Sequence, residues 1–274
     1  MNKHQYFYII SGLPNLSIQD AHLPFPAKVF LDDLKYKIDQ QDFHLLSILY
    51  YGRDSRNLLQ VLFDKKAVMH FEGRYSLQEL KKGIEGDFSL PRYMNDFIRE
   101  FKENGTWTPE AEWETKLTEG YFKEAQETGN EFLNQWMEFE LNLKNLLLGM
   151  TNRKQALPFS EFVIEANEIA TLMKESPTAD FSTRVSIDFI KQIEKIIEIE
   201  NLIERENKID ALRWKKLEEM TFLNYFTIEA ILGFTIKLMI IERWTILKHE
   251  QVNDFLPSWL DAFTEKIKMP VVEN

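Results

Sequence analysis

The chain has 274 residues, of which 44% are hydrophobic and 28% are charged, and its net charge is −11. This composition supplies a packed core and argues against a disordered chain. The excess of acids argues against nucleic acids and anionic lipid surfaces as partners, because both are bound through basic residues. It leaves two alternatives open, a basic protein partner and a merely solvated acidic surface. The absence of cysteine removes disulfide and thiolate chemistry and fits a reducing compartment.

The first apolar run, at residues 6–10, is short and aromatic, and turn residues follow it at 12–15. We therefore interpret it as buried mature chain rather than as a signal peptide. Together with residues 61–63 it is one of only two weak strand candidates. Because strand periodicity is nearly absent elsewhere, the sequence predicts an all-α fold with well over half of the residues helical.

Four helices are predicted in the first hundred residues. One follows Pro26, and Asp42 is expected to cap the next, which ends at Gly52 or continues to Phe63. A capping box at residues 76–79 begins a short helix that Gly83 and Gly86 close. A helix that starts at Pro91 ends at 104–105. The apolar stripes of the first and last of these helices contain Val29, Leu31, Leu34, Ile38, Tyr93, Met94, Phe97, Ile98 and Phe101.

Two long ranges without proline, 110–157 and 178–256, predict long helices, because proline is excluded from helix interiors. The first helix starts at residues 108–110, bends at a second capping box at 128–131, and ends at Pro158. Ser160 caps a further helix that stops before Pro177. The longest helix is predicted to begin near Ser182, with an apolar stripe through Phe189, Ile190, Ile193, Ile196, Ile197, Leu202 and Ile203.

The most apolar segment, residues 228–247, is interrupted by Glu229, Lys237, Glu242 and Arg243. Four charged side chains in contact with lipid would be prohibitively costly, so this segment is predicted to be a core helix and not a membrane span.

One local pattern occurs three times: an acid or asparagine, two residues, then Asn-Leu and a second aliphatic residue. The copies are residues 54–59, 142–147 and 198–203. The pattern is either a coincidence in a leucine-rich chain or the mark of the same helix in three related sub-domains. Asn145 lies in the middle of a predicted helix, where asparagine is disfavoured unless its amide finds a partner.

Catalytic signatures are absent from the sequence. The five histidines lack metal-ligand spacing, and there is neither a glycine-rich phosphate loop nor a nucleophile elbow. The acid pairs Glu138/Glu140 and Glu198/Glu200 are two residues apart, so on a helix their members point to different sides. We therefore predict no catalytic, cofactor-binding or metal-binding residues, and no small-molecule substrate.

Two sets of aromatic residues have a functional and a structural interpretation. Trp107, Trp113, Tyr121 and Phe122 could line a small-molecule pocket, but at helical spacing core packing is favoured. The pairs Arg213-Trp214 and Arg243-Trp244 suit a protein interface. The structural alternative, which we favour, is that these arginines pair with Asp210 or Glu242 at the edge of the core.

Several segments of the sequence resemble an uncharacterised bacterial family found with V-type ATPase components. They are YFYIISGLPNL at residues 6–16, GNEFLNQW at 129–136, FELNL at 139–143, EAILGF at 229–234, and residues 237–238 and 242–244. That family looks like a divergent counterpart of the C-type central-stalk protein of V-type ATPases, known as the d-type in eukaryotes. These C-type proteins are all-helical and consist of three similar sub-domains, each with a polar-x-x-Asn-Leu type of helix.

The resemblance implies a non-catalytic central-stalk subunit, on the cytoplasmic face of the inner membrane, that links the rotor shaft to the proteolipid ring. It implies tentative sub-domains at 1–105, 106–176 and 177–274 within one helical domain of residues 1–274. Proteins of the shaft and the ring would be its partners, without a membrane span of its own. Two alternatives stay open: a helical adaptor or scaffold unrelated to rotary ATPases, and an enzyme with a pocket in its helical domain.

Overall fold

A computed structural model describes residues 5–20, 22–63, 72–104, 110–154, 164, 171 and 186–251. These residues form ten helices and no strand, which confirms the predicted all-α class. The helices are α1 (Phe7–Ser11), α2 (Ala27–Leu34), α3 (Gln40–Leu62), α4 (Leu77–Glu85), α5 (Arg92–Asn104), α6 (Glu110–Gln126), α7 (Glu131–Lys154), α8 (Ile187–Ile197), α9 (Leu202–Thr221) and α10 (Ile228–Gln251).

The predicted limits of α4 and α5 are confirmed. Ser76 and Glu79 form the capping box of α4, and the helix ends before Gly86, whose φ of 95° suits glycine. The buried residues of α5 are Tyr93, Met94, Phe97 and Ile98. For α3 the predicted cap is wrong: the side chain of Asp39, not of Asp42, accepts from the backbone N–H of Gln41. Gly52 lies inside α3.

The predicted bend near residue 129 is a complete break between α6 and α7. The cap of α7 is Asn130, whose side chain accepts from the Leu133 N–H at 3.0 Å. Thr128, the predicted cap, instead donates its hydroxyl hydrogen to the carbonyl of Ala125. A local helix stop therefore replaces the bend.

The prediction that one long helix contains both residues 189–197 and residues 202–203 is also wrong. Residues 198–201 separate α8 from α9. The Asn201 side chain accepts from the Glu204 N–H at 3.0 Å and so begins a new helix. The Arg205 guanidinium closes the joint by donating to the Ile199 carbonyl at 3.0 and 2.7 Å. The predictions on Ser160, Pro158, Ser182 and residues 105–109 lie outside the described residues.

Neither strand candidate is a strand: residues 7–10 belong to α1 and 61–62 to α3. The prediction that the first run is buried holds for Tyr6 only. Its N–H donates to the Phe226 carbonyl at 2.7 Å and its hydroxyl to Asp42 at 2.5 Å. Phe7 and Tyr8 are exposed by 52% and 95%. The short helix is anchored at its start and presents its aromatic residues to solvent.

The main hydrophobic core joins all parts of the described chain except α8, from Tyr6 to Trp244. Helix α10 packs on α2, α3 and α9. Gly233 brings α10 so close to the end of α9 that a Cβ there would lie 2.5 Å from Cγ2 of Thr221. A smaller core, at the α7–α8 contact, contains Leu143, Leu146, Ile193, Ile196, Ile197 and Ile209.

Charged side chains inside α10 are paired within the protein. Buried Glu242 accepts from the Ala27 N–H at 2.9 Å and forms an ion pair with Arg53 at 2.6 Å. Among the described helices, none combines the length and hydropathy that crossing a bilayer requires. The predicted sub-domain boundaries stay a prediction.

Candidate functional site

The most heavily bonded buried carboxylate in the described chain belongs to Asp210 on α9, which is 1% exposed. Oδ2 accepts from Nε1 of Trp244 at 2.7 Å and from the Arg243 guanidinium. Oδ1 accepts from Nη1 of Arg213 at 3.0 Å. Three donors around one carboxylate compensate for its loss of hydration. We call Asp210, Arg213, Arg243, Glu140 and Glu206 the Asp210 network.

The two arginines extend this network to a further helix. Arg213 donates through Nε and Nη2 to the two carboxylate oxygens of Glu140 on α7, at 2.7 and 3.0 Å. Arg243 on α10 donates to Glu206 on α9 at 3.0 Å. Burial by itself would lower the pKa of Arg213, but Glu140 and Asp210 outweigh it and raise that pKa. The fully charged network therefore joins α7, α9 and α10.

The predicted pairing of the arginines with Asp210 is thus confirmed for both, whereas Glu242 pairs with Arg53. The tryptophans also serve contacts inside the chain. Nε1 of Trp214 donates to Glu218 at 3.0 Å, and Nζ of Lys237 lies 4.9 Å from the Trp214 ring centre. Burial lowers the pKa of Lys237, partly offset by Glu218. The Arg-Trp pairs therefore hold α9 and α10 together.

The three copies of the repeated pattern do not share one role. Asn57 and Asn145 are buried in the interiors of α3 and α7. Asn201, by contrast, is an exposed helix cap at the joint between α8 and α9. The third copy therefore begins a helix, whereas the first two lie inside one.

A different correspondence connects α3 and α7. Asp54, the fifteenth residue of α3, accepts from the N–H groups of Arg74 and Tyr75 at 3.1 and 3.0 Å. Asn145, the fifteenth residue of α7, accepts from the Ile164 N–H and donates to the Ile164 carbonyl, both at 3.1 Å. In each helix a fully buried polar side chain forms hydrogen bonds to the backbone of a segment that lies about twenty residues further along the chain.

The carboxylate of Asp54 is in an unusual environment. Burial raises its pKa to about 7, although the two backbone N–H donors act in the opposite direction. Gly73 lies so close that a Cβ there would be 2.0 Å from Oδ1. Beside it, Ser55 and Tyr93 join their hydroxyls at 2.8 Å. This cluster is packed shut and fixes the entry into α4.

The described part of the chain contains an open cleft and a smaller cavity. An open cleft of about 510 Å³ lies between α7, α8 and α9, with Glu138, Asp188, Lys215, Lys216 and Glu219 among its lining residues. Glu138 faces this cleft while Glu140 faces Arg213, as expected for acids two residues apart. A smaller cavity of about 180 Å³ between α3, α6, α7 and α10 is bordered by Tyr121, Phe122 and Trp136.

The aromatic residues that the sequence analysis grouped as possible pocket residues have different surroundings in the structure. Trp113 is fully buried and packs edge-on against Phe97 at 5.4 Å, whereas Tyr121 and Phe122 border the small cavity. Trp107 lies outside the described residues. Within the described ranges, no three or more histidine, aspartate or glutamate side chains are grouped so that they could hold a metal ion.

The sequence did not reveal one exposed surface, which we call the aromatic end. It consists of Phe7, Tyr8, Phe222, Leu223, Tyr225 and Phe226. The first two belong to α1, and the other four form most of the turn between α9 and α10. The signal in the sequence is the run of large apolar residues at 222–226, which ordinarily indicates core.

Comparison with known proteins identifies the family alone. A family model described as "Protein of unknown function (DUF2764)" matches residues 1–265, so the chain belongs to this family. No curated protein and no solved structure matches the chain significantly.

Proposed function

We propose that this DUF2764 protein is a non-catalytic central-stalk subunit of a bacterial V-type rotary ATPase. In this role it links the rotor shaft to the proteolipid ring. It lies on the cytoplasmic face of the inner membrane and is held there by its protein partners. The sequence resemblance to the C-type central-stalk proteins motivates the proposal, and its segments at 129–143 and 229–244 coincide with α7 and α10.

The observation that carries the proposal is the Asp210 network. A subunit that transmits torque must keep its long helices from sliding along one another under load. The network ties α7, α9 and α10 by five charged side chains, with both oxygens of Glu140 engaged by Arg213. Asp210 is buried and the other four side chains are 18–26% exposed. Removing one partner should therefore cost more than the roughly 1 kcal/mol of a surface pair. These ion pairs resist sliding of the helices along one another, and this role requires no catalytic residue.

The most direct test is affinity capture of the full chain from native membranes, followed by mass spectrometry. We expect shaft and proteolipid proteins in the same eluate as the tagged chain. Repeated recovery of an intact rotary ATPase without this chain would contradict the proposal.

A second test addresses coupling. Arg213→Met breaks the network, and Lys208→Met removes a positive charge from an exposed position of the same helix. In assembled complexes, we expect the first change to lower ion pumping per ATP hydrolysed and the second to leave this ratio unchanged. If both variants pumped as many ions per ATP hydrolysed as the native chain, the network would have no part in torque transmission.

The aromatic end favours a second candidate, a helical adaptor unrelated to rotary ATPases, because exposed aromatic residues are typical of protein interfaces. The same capture experiment distinguishes the two functions. An adaptor would bring down a constant partner without proteins of the shaft or the ring.

A further inference from the structure

The aromatic end is a single surface made from two distant parts of the chain. The rings of Phe7 and Phe226 lie 4.4 Å apart, and the Tyr6 N–H donates to the Phe226 carbonyl at 2.7 Å. Tyr8, Leu223 and Phe222 are exposed by 95%, 78% and 69%. These side chains point into solvent although the residue types belong in a core.

The area of this surface is large for a chain that acts alone. With about 200 Å² for a fully exposed residue of this size, the exposed fractions of the six residues correspond to roughly 800 Å², backbone and hydroxyl atoms included. The largest apolar patch of a typical monomer is about 300–600 Å². A standard protein interface buries about 800 Å² on each partner. The aromatic end therefore approaches one complete side of an interface.

The surface is also free of charge. Residues 5–19 and 221–228 contain no aspartate, glutamate, lysine or arginine, in a chain whose net charge is −11. Two copies that meet through a charged face bring like charges together, which costs free energy. At the aromatic end they can meet without this penalty. A nucleic acid or an anionic membrane would require basic residues that this surface lacks.

We propose that the aromatic end is an interface between two copies of this chain. A two-fold arrangement places the same residues on both sides, so aromatic rings meet aromatic rings and leucine meets apolar neighbours. The exposed Phe, Tyr and Leu side chains of both copies are then removed from water together. This inference is independent of the proposed function and concerns the free chain.

The test is sedimentation of the full chain at about 1 to 100 µM, a range that brackets ordinary dimer affinities. The native chain should shift from monomer to dimer over this range. The double variant Leu223→Ser/Tyr225→Ser should weaken dimerisation by roughly tenfold or more. Tyr36→Ser, on a still more exposed aromatic residue beyond the end of α2, is the control and should change nothing.

Chemical cross-linking gives a second readout that does not depend on a disruptive variant. The chain has no cysteine, so Leu223→Cys introduces a single thiol and Tyr36→Cys a matched one. A short bis-maleimide should yield covalent dimers of the first variant and not of the second. A native chain that stays monomeric at every concentration would overturn the proposal, because some other segment, partner or lipid must then cover the surface. Equal weakening by the control substitution would overturn it as well.

Discussion

Helices α3 and α7 hold a later segment of the chain from the same position, yet with different chemistry. Asp54 offers two acceptors to two consecutive N–H groups, whereas Asn145 offers one acceptor and one donor to a single residue. The amide satisfies a backbone residue without charge and is indifferent to pH. The carboxylate must be buried as an ion or take up a proton. The same structural role is therefore filled by a titratable side chain in α3 and by a side chain that does not titrate in α7.

The largest effect is expected from making the α7 site resemble the α3 site. Asn145→Asp replaces the donor to the Ile164 carbonyl by a carboxylate oxygen, which leaves a buried charge facing another acceptor. We expect a loss of about 3–5 kcal/mol in the free energy of unfolding at neutral pH. Urea unfolding measures it. Gln135→Glu adds the same charge on the exposed side of α7 and should cost less than about 1 kcal/mol; similar losses for both variants would refute the explanation.

The next effect is the titration of Asp54 itself. Its folded-state pKa of about 7 exceeds the ordinary 3.8, so the folded chain binds this proton more tightly than the unfolded chain. The site's contribution to stability is therefore full below pH 4 and is lost as the pH rises through 7. The change should be on the order of 2–4 kcal/mol. Measuring unfolding from pH 4 to 8 for the native chain and Asp54→Asn isolates it, because only the native chain should have this dependence.

Gly73→Ala tests how tightly the α3 site is closed. The new methyl group would lie 2.0 Å from Oδ1 of Asp54, so either the helix or the held segment must move. We expect a loss of about 1–3 kcal/mol in thermal or urea unfolding. Gly52→Ala is the control inside α3, since its Cβ meets the Tyr121 ring at 3.7 Å and alanine favours helix. A destabilised control would show that α3 tolerates no added methyl group at all.

The smallest effect is expected in α4, the helix that follows the backbone segment bound by Asp54. Ser76→Ala removes the side chain that accepts from the Glu79 N–H, and the expected loss is about 1 kcal/mol. Gln78→Ala, at an exposed position of the same turn, should be nearly neutral. If Ser76→Ala also abolished the pH dependence assigned to Asp54, the two sites would not be separable.

The comparison also explains how far sequence reasoning reached. The capping box at 76–79 and the need of Asn145 for a partner were predictable because both depend on local rules. The sequence indicates Asp54 only as a member of the repeated pattern. Its partners are twenty residues away, and no local signal indicates which backbone groups will reach it.

The joints between helices were the weakest predictions. Proline-free sequence from 178 to 256 indicated continuity, but Asn201 and Arg205 supply caps that stop and restart the helix without proline or glycine. The Asp210 network was half predictable. Arg243 lies 33 residues from Asp210, and only the pairing of Arg213 with Asp210 follows from sequence neighbourhood. The contribution of Glu140 from another helix does not. Exposure of residues 222–226 contradicted the hydrophobic pattern, which cannot distinguish a core from a surface that another molecule covers.

The close approach at Gly233 has a consequence for association kinetics. Because α9 and α10 nearly touch there, the connecting turn is short, and Asn224 secures it by donating to the Thr221 and Met220 carbonyls at 3.0 Å. The rings displayed on this turn are thus preorganised, and little backbone entropy remains to be lost on contact. Encounter complexes should therefore mature without a slow rearrangement, and the observed relaxation rate of dimerisation should rise linearly with the concentration of free monomer.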